Sequence, residues 1–144
     1  MYPFDEESRR RVQRHQKMRQ GKGFETAECY TGLHKVQVPE NSTVLLECMS
    51  NLVANEMYDP SGAGENAEES ILAGIHKLQK VSDDLVVVTN EVFSDGCEYD
   101  AGTTDYIRRL GEINVRLSRA ADAVVEVVYS IPVFLKGDIG DVDN

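Results

Sequence analysis

The sequence contains no long apolar run, which argues against a membrane-spanning protein and against an exported one. No apolar stretch approaches the roughly 18 residues that a membrane-spanning helix needs. The first residues carry acidic side chains where a signal peptide needs an apolar segment. We therefore expect neither a membrane span nor export, and we expect a cytoplasmic protein.

Cysteine is also scarce, and its spacing argues against a zinc site. The chain has three cysteines, Cys29, Cys48 and Cys97, and none forms the close CxxC pair that is typical of zinc ligands. Three cysteines cannot all pair as disulfides within one chain. We expect reduced thiols, which agrees with a cytoplasmic location.

Positive charge is in short supply and unevenly placed. Lysine and arginine number 15 against 25 acidic residues, which gives a formal net charge of −10. Such a charge repels polyanions, so general affinity for DNA, RNA or anionic membranes is not expected. Seven of the basic residues nevertheless lie between Ser8 and Phe24, where there is no acid. This basic segment is compatible with a solvated helix face, a small-polyanion pocket or, least in keeping with the overall charge, a nucleic-acid patch.

The length and the apolar pattern predict one α/β domain. With 144 residues and 41% hydrophobic content, the chain can bury one core. We expect a single domain over 1–137 and a disordered tail over 138–144. The predicted helices lie between Asp5 and Gly21 and at 49–57, 67–81 and 104–123; the predicted strands are 24–29, 42–48, 84–92 and 123–137, with polar loops at 58–68 and 94–104. Because apolar strands alternate with helices, we predict a mostly parallel sheet with helices on both faces.

Polar residues at the ends of these strands are candidate site residues. In parallel sheets, ligands bind beyond the carboxyl ends of the strands. Glu47 ends the second predicted strand, Asn90 and Glu91 end the third, and Ser130 lies near the end of the last. The alternatives stay open, because Glu47 could equally cap a neighbouring helix and Asn90 and Glu91 could form a turn.

The basic segment contains a histidine in an unusual setting. Arg11, His15 and Arg19 follow each other at intervals of four, so a helix places them on one face. The two positive charges disfavour protonation of His15 and leave its imidazole nucleophilic, while guanidinium groups can hold phosphate oxygens. These are the requirements for attack on the phosphorus of a nucleoside triphosphate. A plain solvated helix face is the alternative, and His34 and His76 have no comparable setting.

Several well-known motifs are missing from the sequence. The phosphate-binding pattern GxxxxGK[ST] does not occur, since Gly21-Lys22-Gly23 has Gln16 in place of the first glycine and Gly23 in place of Ser or Thr. The patterns GxSxG, HExxH and GxGxxG and the calcium-binding loop are absent too.

Six stretches in their present order carry a resemblance to a known family. They are "DEESRRRVQRHQKMR" with its RxxRH pattern, "GFETAE" (23–28), "VLLECMSNLVANEM" (44–57), "LVVVTNEV" (85–92), "LGEINVRLSRAADAVVEVV" (110–128) and "YSIPVFLKG" (129–137). Together they resemble the bifunctional adenosylcobinamide kinase / adenosylcobinamide-phosphate guanylyltransferase family of cobalamin biosynthesis. Single motifs are moderately specific, and the ordered set, above all TNEV followed by GxxNxRLxxxAD, is much more so.

The resemblance implies a P-loop NTPase of RecA-like topology that assembles as a homotrimer and uses GTP or ATP with magnesium. It implies phosphorylation of the cobinamide side-chain hydroxyl, then transfer of GMP from GTP through a guanylyl-histidine to adenosylcobinamide phosphate. By position, His15 matches the guanylylated histidine. The matched nucleotide-contacting residues are Gln16, Lys17, Met18, Arg19, Glu28 and Glu47. Either carboxylate could accept two N–H bonds from guanine, and the strand-end position of Glu47 also suits a magnesium-associated role.

One departure from the family pattern is large. Family members begin with a strand, a glycine-rich phosphate loop, a helix and a second strand, and this sequence starts after them. We therefore expect an N-terminally truncated member whose activity alone is in question. The alternative function is a non-catalytic homologue that binds nucleotide weakly or assembles with full-length subunits.

Overall fold

A computed structural model describes the chain continuously over 23–90 and 101–137, without the side chains of 101 and 102. It also describes Glu6, Arg9, Arg10, Gln13, Arg14, Lys17 and Gly21. Several predictions lie outside these residues: those for His15, Gln16, Met18, Arg19 and Glu91, and the tail 138–144.

A parallel pair of strands lies against the helical core, and alternate residues such as Leu45 and Val86 are exposed. Strand β1 spans Thr43–Leu46 and strand β2 spans Asp84–Val87, with Leu46 opposite Val87. The crossover between them contains helix α1 (Met49–Tyr58), a short 3-10 helix (Gly64–Asn66) and helix α2 (Ala67–Val81). The predictions for these two strands and two helices are confirmed, and the 15 residues of α2 match the predicted range.

Three helices and a short connecting turn enclose the core. The third helix, α3, spans Ala101–Ala120, so the last residues of the loop predicted at 94–104 are helical instead. The apolar stripes of the helices repeat at intervals of three and four, which turns one side of each helix to the interior. The buried core consists of Leu33, Met49, Leu52, Val53, Ile71, Ile75, Leu78, Leu110 and Ile113.

The segment before β1 differs from its prediction. Residues 24–29 form no strand, and the chain continues irregularly into a 3-10 helix at Leu33–Lys35. Phe24, the first residue of the predicted strand, is 52% exposed and does not pack in the core. Leu33 fills that place, packed against Gly74 of α2, where an added Cβ would lie 2.8 Å from the Leu33 side chain.

The last predicted strand is a β-hairpin. Strands β3 (Val124–Val128) and β4 (Ile131–Lys136) pair antiparallel through a two-residue turn at Tyr129 and Ser130. Both turn residues have positive φ, 50° and 65°, as a type I′ turn requires. The prediction of a single strand over 123–137 was wrong: the chain reverses at Tyr129 and Ser130, and Pro132 lies inside β4 opposite Val127.

The hairpin and the parallel pair form separate two-stranded sheets. Lys136 joins the hairpin to the end of α3 by donating to the carbonyls of Ser118 and Arg119 at 3.1 and 2.9 Å. The α/β class is confirmed, but the parallel part that the described residues contain is smaller than predicted. Within those residues, no helix combines the length and the apolar character needed to cross a bilayer.

Candidate functional site

The carboxyl ends of β1 and β2 lie side by side, and the polar residues that follow them share one edge. The N–H of Val88 donates to the carbonyl of Leu46 at 3.0 Å, and the N–H of Met49 donates to the carbonyl of Val88 at 2.8 Å. The two strands therefore stay paired one residue beyond β2. Glu47, which follows β1, is exposed at this edge, and so is Asn90, which follows β2. Glu47 and Asn90 thus follow neighbouring strands at this edge, whereas Ser130 lies in the hairpin turn.

A small cluster of polar side chains, those of Cys48, Ser50 and Asn90, connects this edge to helix α1. The amide Nδ2 of Asn90 donates to Ser50 Oγ at 3.2 Å and lies 3.8 Å from Cys48 Sγ. The Cys48 thiol and the Ser50 hydroxyl are themselves 2.8 Å apart. Ser50 is only 7% exposed and lies in the first turn of α1. Asn90 is thus attached to the start of the helix that follows β1.

Helix α3 contributes the other half of the cluster. The hydroxyl of Thr89 donates to Asn114 Oδ1 at 2.7 Å, and Asn114 Nδ2 donates to the carbonyl of Asn90 at 3.4 Å. The hydroxyl of Tyr106 donates to the carbonyl of Ser50 at 3.1 Å. Burial raises the pKa of the Tyr106 phenol, so this group remains a neutral donor at neutral pH. The strand ends are held by α1 on one side and α3 on the other.

The chemistry of this edge suits a phosphorylated ligand with its metal. Magnesium in nucleotide sites is held by one or two carboxylates together with phosphate oxygens and water, rather than by a cage of protein ligands. Among the described residues, no group of three or more His, Cys, Asp or Glu side chains could hold a metal ion. Glu47 supplies one exposed carboxylate at the strand end, which fits a magnesium ion shared with a nucleotide.

Glu28 lies in a different setting, along an open groove of about 450 Å³. The groove is formed by residues 27–37, and its polar lining includes Tyr30, Lys35 and Gln37. Glu47 is not among the residues that line this groove. Within the groove wall, burial raises the pKa of the Cys29 thiol, and the charge of Glu56 acts in the same direction.

The described residues of the basic segment are helical and exposed. This agrees with the predicted helix at the positions concerned, which are Arg9, Arg10, Gln13, Arg14 and Lys17. Arg10 forms an ion pair with Glu6, one turn earlier, at 2.6 Å. Lys17 is the one predicted contact residue of this segment that the structure describes.

Sequence reasoning missed two polar residues that organise the site. Asn114 follows Leu110 by four and precedes Leu117 by three, and Glu56 follows Leu52 by four and Val53 by three. Each therefore interrupts the apolar stripe of its own helix. A polar side chain on an apolar stripe needs a hydrogen-bond partner, and this signal could have identified both.

Comparison with known proteins assigns the chain to a family. The family model for cobinamide kinase / cobinamide phosphate guanyltransferase (CobU) matches residues 1–135. The bifunctional adenosylcobalamin biosynthesis protein CobU of Salmonella typhimurium is 29% identical over 148 aligned positions, which cover 92% of this chain and 81% of that protein. The protein of the same name from Escherichia coli is 30% identical over 150 positions, again with 92% and 81% coverage. The chain belongs to the cobinamide kinase / cobinamide phosphate guanyltransferase family.

Proposed function

We propose that this chain acts as an adenosylcobinamide kinase / adenosylcobinamide-phosphate guanylyltransferase of cobalamin biosynthesis. The observation that carries the proposal is the family match over residues 1–135, which takes in both His15 and the strand-end Glu47. The polar edge formed by β1 and β2 supports it, because ligands of parallel sheets bind at such edges. A P-loop NTPase fold of RecA-like topology, a homotrimer and a cytoplasmic location are part of this proposal.

In the guanylyl transfer, His15 is the nucleophile. A ring nitrogen of the neutral imidazole attacks the α-phosphorus of GTP, a nitrogen–phosphorus bond forms, and pyrophosphate leaves with the electrons of the broken bond. A phosphate oxygen of adenosylcobinamide phosphate then attacks the same phosphorus. Adenosylcobinamide-GDP forms and the histidine is released. In the kinase step, the γ-phosphoryl group of ATP or GTP passes to the cobinamide hydroxyl.

The charges around His15 in the sequence suit this chemistry. Arg11 and Arg19 keep the imidazole neutral and hold phosphate oxygens. Gln16, Lys17 and Met18 contact the nucleotide. Lys17 is exposed, so its ammonium group is available to a phosphate.

The two exposed carboxylates take different parts. Glu47, at the strand end among hydroxyl and amide groups, suits a magnesium ion that arrives with the triphosphate. Glu28, on its groove, suits the guanine base, whose adjacent N–H groups a carboxylate can accept together. The magnesium ion supplies charge neutralisation at the phosphates.

Labelling with α-³²P-GTP and magnesium tests the proposal. The wild-type protein is expected to form an acid-labile, alkali-stable protein adduct, and His15→Ala is expected to form none. His76→Ala is the matched control, because His76 is an exposed histidine elsewhere, and this variant should label like the wild type. A well-folded wild-type protein without label would contradict the catalytic proposal.

A second candidate is a non-catalytic member that assembles with full-length subunits, and the hairpin favours it. Ile131, Val133 and Leu135 alternate along β4, so they lie on one face of the hairpin, and they are 63%, 42% and 63% exposed. Contiguous exposed apolar side chains mark association surfaces. This candidate predicts no label, together with sedimentation of the chain in a complex with a full-length subunit.

A further inference from the structure

We propose that Asn114 is a positioning residue that fixes the carboxyl end of β2 to the start of α1, three residues after Glu47, and that nucleotide binding depends on it. The second half of this inference rests on the proposed function. The first half concerns the described fold alone, which allows the two to be tested separately.

Both atoms of the Asn114 amide are engaged, and their orientation is determined. A main-chain carbonyl can only accept a hydrogen bond, so the nitrogen of the amide must face the carbonyl of Asn90, 3.4 Å away. The oxygen then faces the Thr89 hydroxyl, which donates at 2.7 Å. The Asn114 side chain therefore holds two successive residues, Thr89 by its hydroxyl and Asn90 by its main-chain carbonyl.

The same two residues lead directly to the predicted site. Asn90, held by Asn114 through its carbonyl, donates through its own amide to Ser50 Oγ at 3.2 Å. Ser50 lies three residues after Glu47, in the first turn of α1. The hydrogen bonds thus run from α3 through the end of β2 to the helix that begins beside Glu47. A shift of Asn90 would change the edge that faces the nucleotide.

Helix stability gives no reason for an asparagine at this position. Asparagine is a poorer helix former than alanine or leucine. Asn114 nevertheless lies in the interior of α3, between the core residues Leu110 and Ile113 and the partly buried Leu117. The hydrogen bonds of Asn114 with Thr89 and Asn90 account for an asparagine at this position.

Isosteric variants separate positioning from packing. In Asn114→Asp the oxygen that faces Thr89 is kept, while an acceptor replaces the donor that faces the carbonyl of Asn90. Thr89→Val removes the hydroxyl and preserves the shape, and Thr89→Ser restores the hydroxyl. Ser118→Ala is the control on the same helix, since the Ser118 hydroxyl donates to the main-chain carbonyl of Asn114 at 2.7 Å rather than to its amide side chain.

Titration with GTP and magnesium is the first measurement. Asn114→Asp and Thr89→Val are each expected to weaken binding about tenfold. The double variant is expected to bind no more weakly than Asn114→Asp alone, because the Thr89 hydroxyl acts by orienting the amide whose donor Asn114→Asp removes. Thr89→Ser and Ser118→Ala should bind within about twofold of the wild type. Wild-type affinity in folded Asn114→Asp, additive losses, or an equal loss in Ser118→Ala would overturn the inference.

Amide hydrogen exchange is the second measurement and needs no ligand. The N–H groups of Met49 and Val88 join the two strand ends. In Asn114→Asp their exchange should be about tenfold faster than in Ser118→Ala. If the wild type binds no GTP, the proposed function fails while this comparison still decides on Asn114, and equal exchange in the two variants would refute the positioning role.

Discussion

The carboxylate of Glu56 accepts the main-chain N–H of Gly32 at 2.6 Å, although the two residues are 24 positions apart. Its second oxygen accepts the N–H of Ala63 at 2.8 Å. Glu56 is 1% exposed. One buried side chain thus joins the groove segment before β1 to the turn after α1.

Replacement of Glu56 is expected to destabilise the fold strongly. Glu56→Ala leaves two partly buried N–H groups without their acceptors, which costs roughly 3 kcal/mol of unfolding free energy. Glu56→Gln should cost less, because its amide oxygen can still accept one of the two bonds. Urea unfolding measures both variants, with Glu69→Ala as the control since Glu69 is exposed on α2. Equal stability of the wild type and Glu56→Ala would contradict the role of this side chain.

Gly74→Ala should destabilise the protein even though alanine is the better helix former. A Cβ at position 74 would lie 2.8 Å from both Cβ and Cγ of Leu33. The resulting overpacking costs about 1–3 kcal/mol, against a gain of about 1 kcal/mol in helix propensity. Thermal unfolding is the measurement. The double variant with Leu33→Ala provides the control, because the Leu33 truncation should cost less in the Gly74→Ala background than in the wild type.

The shifted pKa values of Glu68 and Glu112 predict that the stability of the fold depends on pH. Burial raises the pKa of the Glu68 carboxyl, and the hydrogen bond with Glu112 and the charge of Glu112 raise it further. The same hydrogen bond lowers the pKa of Glu112. For Glu68, the stabilisation is present below the ordinary glutamate pKa and is lost as the pH rises through the raised value. For Glu112, it is present above the ordinary pKa and is lost as the pH falls through the lowered value.

Glu68→Gln removes the Glu68 part of this dependence, because the amide is a permanent neutral donor. The variant should melt close to the wild type at about pH 4 and at a higher temperature than the wild type at about pH 7.5. Thermal unfolding at both values tests this, with Glu69→Gln as the exposed control in the same turn. A constant difference between Glu68→Gln and the wild type would refute the assignment.

Substitution of the two exposed carboxylates should separate their roles. Glu28→Gln should lower the preference for GTP over ATP by about tenfold or more, because one acceptor of the paired N–H groups is lost. Glu47→Gln should lower guanylyl transfer about a hundredfold and raise the magnesium concentration required, without a change in base preference. Single-turnover labelling with each nucleotide gives these quantities. Glu40→Gln is the control, and a changed base preference in Glu47→Gln would reverse the two assignments.

The sequence pattern predicted the elements that local periodicity defines. The apolar runs of β1 and β2 and the stripe of Ile71, Ile75 and Leu78 in α2 lie where they were expected. The common edge of Glu47 and Asn90 followed from the parallel arrangement alone. These features depend on short-range order, which the sequence expresses directly.

The remaining differences arise from tertiary contacts. Residues 24–29 were predicted as a strand but form none; Phe24 is exposed, while Leu33 is buried next to Gly74. The prediction of one strand over 123–137 misses the turn because Tyr129 and Ser130 are not residue types that usually adopt positive φ. The partners of Asn114 and Glu56 come from distant parts of the chain, which periodicity cannot identify.

The crossover between β1 and β2 also determines how this chain can fold. Leu46 and Val87 can pair only after the whole stretch 47–86 has been made, whereas the hydrogen bonds within α1 and α2 join residues one turn apart. Closure of so long a connection is slow relative to helix formation. During synthesis β1 therefore leaves the ribosome before β2. The helices α1 and α2 are the first elements that can protect β1 from misassociation.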